Sequence, residues 1–129
     1  RSRIEKKISL MGKERGSKNE KRIYNALTRL MDSDDLEYFF IDFYETQRLS
    51  LEDKAGIDFV VHAMERNADL VEIDEIPIQV KSSAQSALKH IECHPEIPVI
   101  VVKPSKTEEE LEKELDGIIK SKLGLKSED

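Results

Sequence analysis

Residues Ile97 to Lys103 hold an unbroken apolar run, bounded by Pro98 and Pro104. A strand of this kind is covered on both faces and belongs mostly in parallel pairings. A parallel neighbour needs a crossover of a dozen or more residues, usually through a helix. The preceding segment supplies both parts. Val71–Ser82 reads as a strand, strongest at Ile76–Lys81, with Pro77 near its start. Ala84, Ala87, Leu88 and Ile91 then mark a short helix behind Ser82 and Ser83.

The other elements follow from local pattern. Ile23, Ala26, Leu27, Leu30 and Met31 make one helix face, so a helix runs from about Ser17 to Met31, with Ser17-x-x-Glu20 as its capping box. Glu37–Thr46 is aromatic-rich and alternates acid with apolar near its end, as a strand does. Ile57–Ala63 is a second, mostly apolar strand between turns at Lys54-Ala-Gly56 and Arg66–Asp69. Thr107–Leu123 is an amphipathic helix with Thr107-x-x-Glu110 as capping box, acids in its first turn and Gly124 past its end. The expected order is α-β-β-β-α-β-α: an α/β fold with a mixed central sheet flanked by helices. The 129 residues suit a single domain (1–129), with a core at about 16–104, a basic arm at 1–15 and a C-terminal helix at 107–123.

Composition excludes several classes. No apolar run approaches the ~18 residues of a membrane helix, and no signal-peptide pattern is visible. A single cysteine makes no internal disulfide, which suits a reducing, cytoplasmic compartment. The net charge of −6 is uneven. Arg1–Arg22 carries +6, Ile23–Pro104 carries −9 and Ser105–Asp129 carries −3. A basic arm on an acidic body fits local contact with a polyanion better than wrapping of nucleic acid, and a solvated terminus explains the same charge.

Strand parity singles out the polar residues. Asp58, Val60 and His62 share one face of their strand; Gln79 and Lys81 share one face of theirs. A carboxylate, an amide and an ammonium in otherwise apolar strands are costly unless partnered. If the strands are neighbours, Asp58, Gln79 and Lys81 converge. The first two offer hard oxygen ligands for Mg²⁺, and the ammonium can act on water or on a phosphate. Glu20 lies at the N-terminal end of the first helix's buried face, where it could add a second carboxylate.

Gly56-Ile57-Asp58 followed by Gln79-Val80-Lys81 resembles the PD-(D/E)xK nuclease superfamily in its Gln-x-Lys variant. With Gly16-x-x-x-Glu20 ahead of them, they are similar to archaeal Holliday junction resolvases and Mrr-type restriction endonucleases. The resemblance implies a restriction-endonuclease-like core over roughly 16–103. It implies an Mg²⁺-dependent endonuclease acting on phosphodiesters, in DNA, with Mn²⁺ as substitute. Asp58, Gln79 and the Val80 carbonyl would be metal ligands, Lys81 the catalytic lysine, and Glu20 a further carboxylate at or near the metal. Ser82 and Ser83 would lie beside the phosphate path. Lys13, Arg15, Lys18 and Arg22 would bring cations to its rim. Cleavage of branched DNA would favour a homodimer, and the C-terminal helix is the candidate interface, although packing on its own domain is the default.

One departure matters: Gln79 stands where the family's commoner residue is acidic, so the site loses a negative charge. A competing expectation is therefore a weak or inactive module that binds nucleic acid or a protein partner. Structural explanations also stand beside each residue. Asp58 can cap the Gly56 turn, Gln79 and Lys81 can form a wet strand face, Glu20 can serve its capping box, and Glu75 has the parity to replace Gln79 as acid. His90, Cys93 and His94 lack the ligand count of a zinc site, and Lys89 and His90 read as surface residues. The aromatics Phe39, Phe40, Phe43, Tyr44 and Phe59 read as core.

Overall fold

A computed structural model describes residues 17–46, 56–66 and 71–125, the side chain of Ser17 excepted. Among them lie three helices and four strands: α1 (Ser17–Met31), β1 (Tyr38–Glu45), β2 (Phe59–Glu65), β3 (Asp74–Lys81), α2 (Ala84–Cys93), β4 (Val99–Val101) and α3 (Glu108–Lys122). The order is the expected one. The strands form one mixed sheet, β1-β2-β3-β4, antiparallel except for the β3–β4 pair. The chain is therefore α/β, with the crossover through α2 that the Ile97–Lys103 run requires.

The two faces of the sheet differ. Phe59, Val61 and Ala63 of β2, with Ile76, Ile78 and Val80 of β3, point into the main core. Ile23, Ala26, Leu27 and Leu30 of α1 and Leu111, Leu115 and Ile119 of α3 cover them. Parity runs unbroken through Pro77, which pairs opposite Val60 at a point where β4 has not yet joined β3. Helix α2 covers the opposite face, where Asp58, Gln79 and Lys81 lie.

Helix α3 ends as its sequence demands at both termini. Thr107 Oγ1 accepts the Glu110 N–H at 3.1 Å, and Glu110 Oε1 accepts the Thr107 N–H at 2.7 Å. At the other end of α3, Gly124 has φ +79. The Leu125 N–H donates to the Lys120 carbonyl at 2.9 Å and the Gly124 N–H to Ser121 at 3.1 Å, a Schellman closure that needs this left-handed residue. Tyr38 ties β1 to α3, donating its hydroxyl to Asp116 Oδ1 at 2.7 Å. Burial, then that bond, pushes its phenol pKa far up. Helix α3 thus packs on its own chain, the default expectation.

Four details depart from the sequence expectation. Strand β4 is only Val99–Val101, because β3 offers partners only at Gln79–Lys81. Strand β2 begins at Phe59 rather than Ile57, because regular pairing with β3 ends at the Phe59–Ile78 pair. In α2 the buried residues are Ala87 and His90, whereas Leu88 and Ile91 are 64% and 44% exposed. Of the aromatics, Phe59 is core and Phe40 and Phe43 pack against it, but Phe39 is 43% exposed under the Arg66 guanidinium.

Candidate functional site

Strand β3 changes partner at Gln79. Below it, the β2–β3 ladder runs up to the Phe59–Ile78 pair. Above it, Gln79 N–H donates to the Pro98 carbonyl at 2.9 Å and pairing passes to β4. Asp58 sits at this divergence. Its N–H donates to the Ile78 carbonyl at 2.9 Å, and its carboxylate Oδ2 accepts the Val80 N–H at 2.8 Å. The backbone still bonds to β3 here, and the side chain adds a second contact beyond the last regular pair. Thr46 fixes the other side, donating its N–H to the Asp58 carbonyl at 2.9 Å and its hydroxyl to the Ile57 carbonyl at 2.8 Å.

A cavity of about 450 Å³ opens at this point, within the usual range for ligand sites. Asp58, Gln79 and Lys81 line it from the sheet, and Ser86, Lys89, His90, Cys93 and His94 line it from α2 and its C-cap. The expected convergence of Asp58, Gln79 and Lys81 is present. Asp58 and Gln79 are buried, at 8% exposure each. Lys81 is half-buried and makes no side-chain hydrogen bond or ion pair among the described residues.

Gln79 is the least satisfied of the three. Its Nε2 donates to the Val80 carbonyl at 3.3 Å, which sets the orientation of the amide. Its Oε1 is buried and has no hydrogen-bond partner. A buried orphan of this kind costs about 1–3 kcal/mol, so it implies a donor or cation that completes it. The oxygen donors present therefore fit a hard divalent cation: the Asp58 carboxylate, the Gln79 amide oxygen and the Val80 carbonyl, which already accepts from Gln79. Among the described residues no three His, Cys, Asp or Glu side chains are grouped as a metal cluster.

The remaining sequence candidates separate. Glu20 is half-buried and is not among the residues lining the cavity. Glu75 shares the Gln79 face but lies at the far end of β3 beside His62, not at the cavity. Ser83 caps α2, accepting the Ser86 N–H at 3.1 Å, and Ser82 is exposed. Lys18 is exposed, and Lys13 and Arg15 lie outside the described residues. Arg22 binds protein rather than solvent. Its guanidinium donates to Glu108 at 2.9 Å, to the Lys103 carbonyl at 3.0 Å and to the Lys106 carbonyl, clamping α1 to the start of α3.

Sequence reasoning missed His90, which it placed on the surface. The ring is 7% exposed, and its Nε2 is buried without a hydrogen-bond partner. Burial first, then the charges of Lys81 and His94, hold its pKa below the ordinary histidine value, while the Ile97 backbone and Asp58 oppose. Gly56 explains how the ring fits. At φ +88, its backbone lies so close that an added Cβ would be 3.0 Å from His90 Cε1 and 3.5 Å from His94 Cδ2. The available signal was the spacing Ala87, His90, His94, which puts both rings on the face of the smallest apolar residue.

A second cluster crosses the same sheet face further away. His62 Nδ1 lies 2.5 Å from Asp42 Oδ1 and its Nε2 lies 3.3 Å from Glu75 Oε2. The Asp42 bond, ahead of the Glu75 one, raises the His62 pKa against the effect of burial.

No family model, no curated protein and no solved structure matches this chain. Among the described residues no helix is long and apolar enough to cross a membrane.

Proposed function

We propose that the chain is a cation-dependent endonuclease of restriction-endonuclease-like fold that hydrolyses phosphodiesters in DNA. The observation that carries this reading is the buried Gln79 Oε1, unpartnered among the described residues, in one cavity lining with Asp58 and with Lys81, which is likewise unpaired among them. The element order and the Gly56, Asp58, Gln79, Lys81 pattern support it. Asp58 and Gln79 would hold Mg²⁺ or Mn²⁺, with the Val80 carbonyl. The cation would supply Lewis-acid activation of water and of the scissile phosphate. Lys81 would orient water or offset charge developing on the phosphate, an electrostatic role favoured by its having no ion pair among the described residues. Lys89, at the same rim, adds positive charge for the phosphate backbone. Ser82 and Ser83 would flank the phosphate path.

A second reading is a nuclease-fold module that binds nucleic acid or a protein without cutting. It is favoured by the neutral Gln79 and by a cavity to which, among the described residues, Asp58 alone contributes a carboxylate.

The test incubates the protein with supercoiled plasmid and a synthetic four-way junction, in Mg²⁺, Mn²⁺ or chelator. Lys81→Ala and Asp58→Ala run beside it. The nuclease reading expects cation-dependent cutting lost in both variants, which remain folded by circular dichroism. Absence of cutting by the folded wild type would overturn the nuclease reading, and activity appearing in Gln79→Glu would trace the loss to the missing carboxylate and favour the second reading.

A further inference from the structure

We propose that His90 is a nitrogen ligand of the cation site, so that the site prefers Mn²⁺ and similar nitrogen-accepting cations over Mg²⁺. This rests on the reading of Asp58 and Gln79 as cation ligands and deepens it. Two residues that line one cavity, Gln79 from β3 and His90 from α2, each keep a buried polar atom without a partner among the described residues: Oε1 and Nε2. Gln79 and His90 are 8% and 7% exposed.

Two such orphans in the lining of one cavity are each destabilising by about 1–3 kcal/mol unless something bound there completes them. A water needs two to four polar partners to be held. A cation gains more, because it satisfies the amide oxygen and the imidazole lone pair and also neutralises Asp58. Imidazole nitrogen is a poor match for Mg²⁺, which keeps oxygen ligands, and a good match for later divalent metals. The set contains only one carboxylate and one histidine, with Gln79 supplying an amide oxygen. It is therefore compatible with the absence of a three-residue His, Cys, Asp or Glu cluster among the described residues. Gly56 serves the same arrangement. Its missing side chain lets the backbone pack against the His90 ring edge at Cε1 and fixes the imidazole.

The experiment measures Mn²⁺ binding by calorimetry and by electron spin echo envelope modulation, which detects a directly bound ¹⁴N. Wild type, His90→Asn, Asp58→Asn and the double variant His62→Gln/His94→Gln are compared. The chain has three histidines, so the double variant leaves only His90 and does not disturb its packing in α2 beyond one neighbour. The expected result is one Mn²⁺ with ¹⁴N modulation in the wild type and in the double variant. His90→Asn should lose the modulation and weaken Mn²⁺ at least tenfold, since loss of even an outer-shell partner of a metal ligand costs about 10–100-fold, while Mg²⁺ affinity changes little. Loss of binding in Asp58→Asn locates the ion. Mn²⁺ bound through Asp58 without ¹⁴N modulation in the wild type would overturn the proposal and leave the cation reading standing. Modulation that disappears in the double variant, or survives Asp58→Asn, would place the nitrogen elsewhere and overturn it too. No Mn²⁺ binding by folded wild type would overturn both readings. The wild-type and double-variant arms decide the matter even if His90→Asn does not fold.

Discussion

Replacing Gly56 by alanine tests the packing that holds His90. Two costs add. Gly56 has φ +88, a region where an L-residue is disfavoured by about 1–2 kcal/mol. The new Cβ would also lie 3.0 Å from His90 Cε1 and 3.4 Å from its Nδ1, so the ring must retreat by a few tenths of an ångström. His90 is buried, and overpacking of this kind costs about 1–3 kcal/mol, here taken near the lower end because one atom is involved. The expected loss is about 2–4 kcal/mol, a large share of the ~5–15 kcal/mol that holds a typical domain. At roughly 3–5 °C per kcal/mol for a chain of this size, the Tm falls by about 6–20 °C. Two other glycines separate the terms. Gly124 has φ +79 and nothing within 4 Å of an added Cβ, so Gly124→Ala should show the backbone cost alone. Gly117 lies inside α3 with open space around it, so Gly117→Ala should stabilise by about 0.5–1 kcal/mol. Thermal and urea melts of the three variants check this. A Gly56→Ala protein no less stable than Gly124→Ala would refute the claim that Gly56 is required by the imidazole beside it.

Tyr38→Phe removes the hydroxyl that donates to Asp116 and should cost about 1–2 kcal/mol, read as a lower urea midpoint at unchanged slope. An unchanged midpoint would mean that Lys120, 3.3 Å from Asp116, already satisfies the carboxylate. The His62 pKa is raised above 6.5 in the folded chain, so its contribution is fully present below pH 6.5 and is lost as pH rises through the folded value. The wild type should therefore exceed His62→Gln in Tm by more at pH 5.5 than at pH 8.5, and an equal gap at both would dismiss the Asp42–His62–Glu75 row as a source of pH dependence.

The sequence was legible where one element's own pattern decides its burial. Helix α1 spans the residues that Ile23, Ala26, Leu27 and Leu30 mark, since a wide apolar stripe has one way to face a sheet. The Thr107 capping box is equally local. Parity also worked, bringing Asp58, Gln79 and Lys81 to one cavity because antiparallel neighbours keep their alternation in step. Helix α2 was legible as an element but not in its rotation. Of the apolar residues that mark it, Ala87 is buried while Leu88 and Ile91 are exposed, because the helix is short and its rotation is set by what it meets. It meets the polar end of β2 and β3, where Gly56 leaves room for a ring, so Ala87 and His90 turn inward. That information resides in the tertiary contact and in no window of sequence.

The division of the sheet into two unlike faces connects these results. Apolar burial is concentrated where α1 and α3 meet β2 and β3, and Arg22, Arg29 and Tyr38 tie those elements together at their margins. The opposite face carries a buried carboxylate, a buried amide and a buried imidazole under a ten-residue helix. Buried polar atoms left without a partner, as Gln79 Oε1 and His90 Nε2 are among the described residues, oppose folding. A fold can retain them only if the other face supplies the stability, which is why the costly residues lie on the face that α1 and α3 leave to α2. Completing Gln79 Oε1 and His90 Nε2 should then stabilise the whole chain in proportion to ligand occupancy. A bound cation would raise the Tm through these two atoms, and the variants that remove them should shrink that rise while the α1–α3 face remains intact.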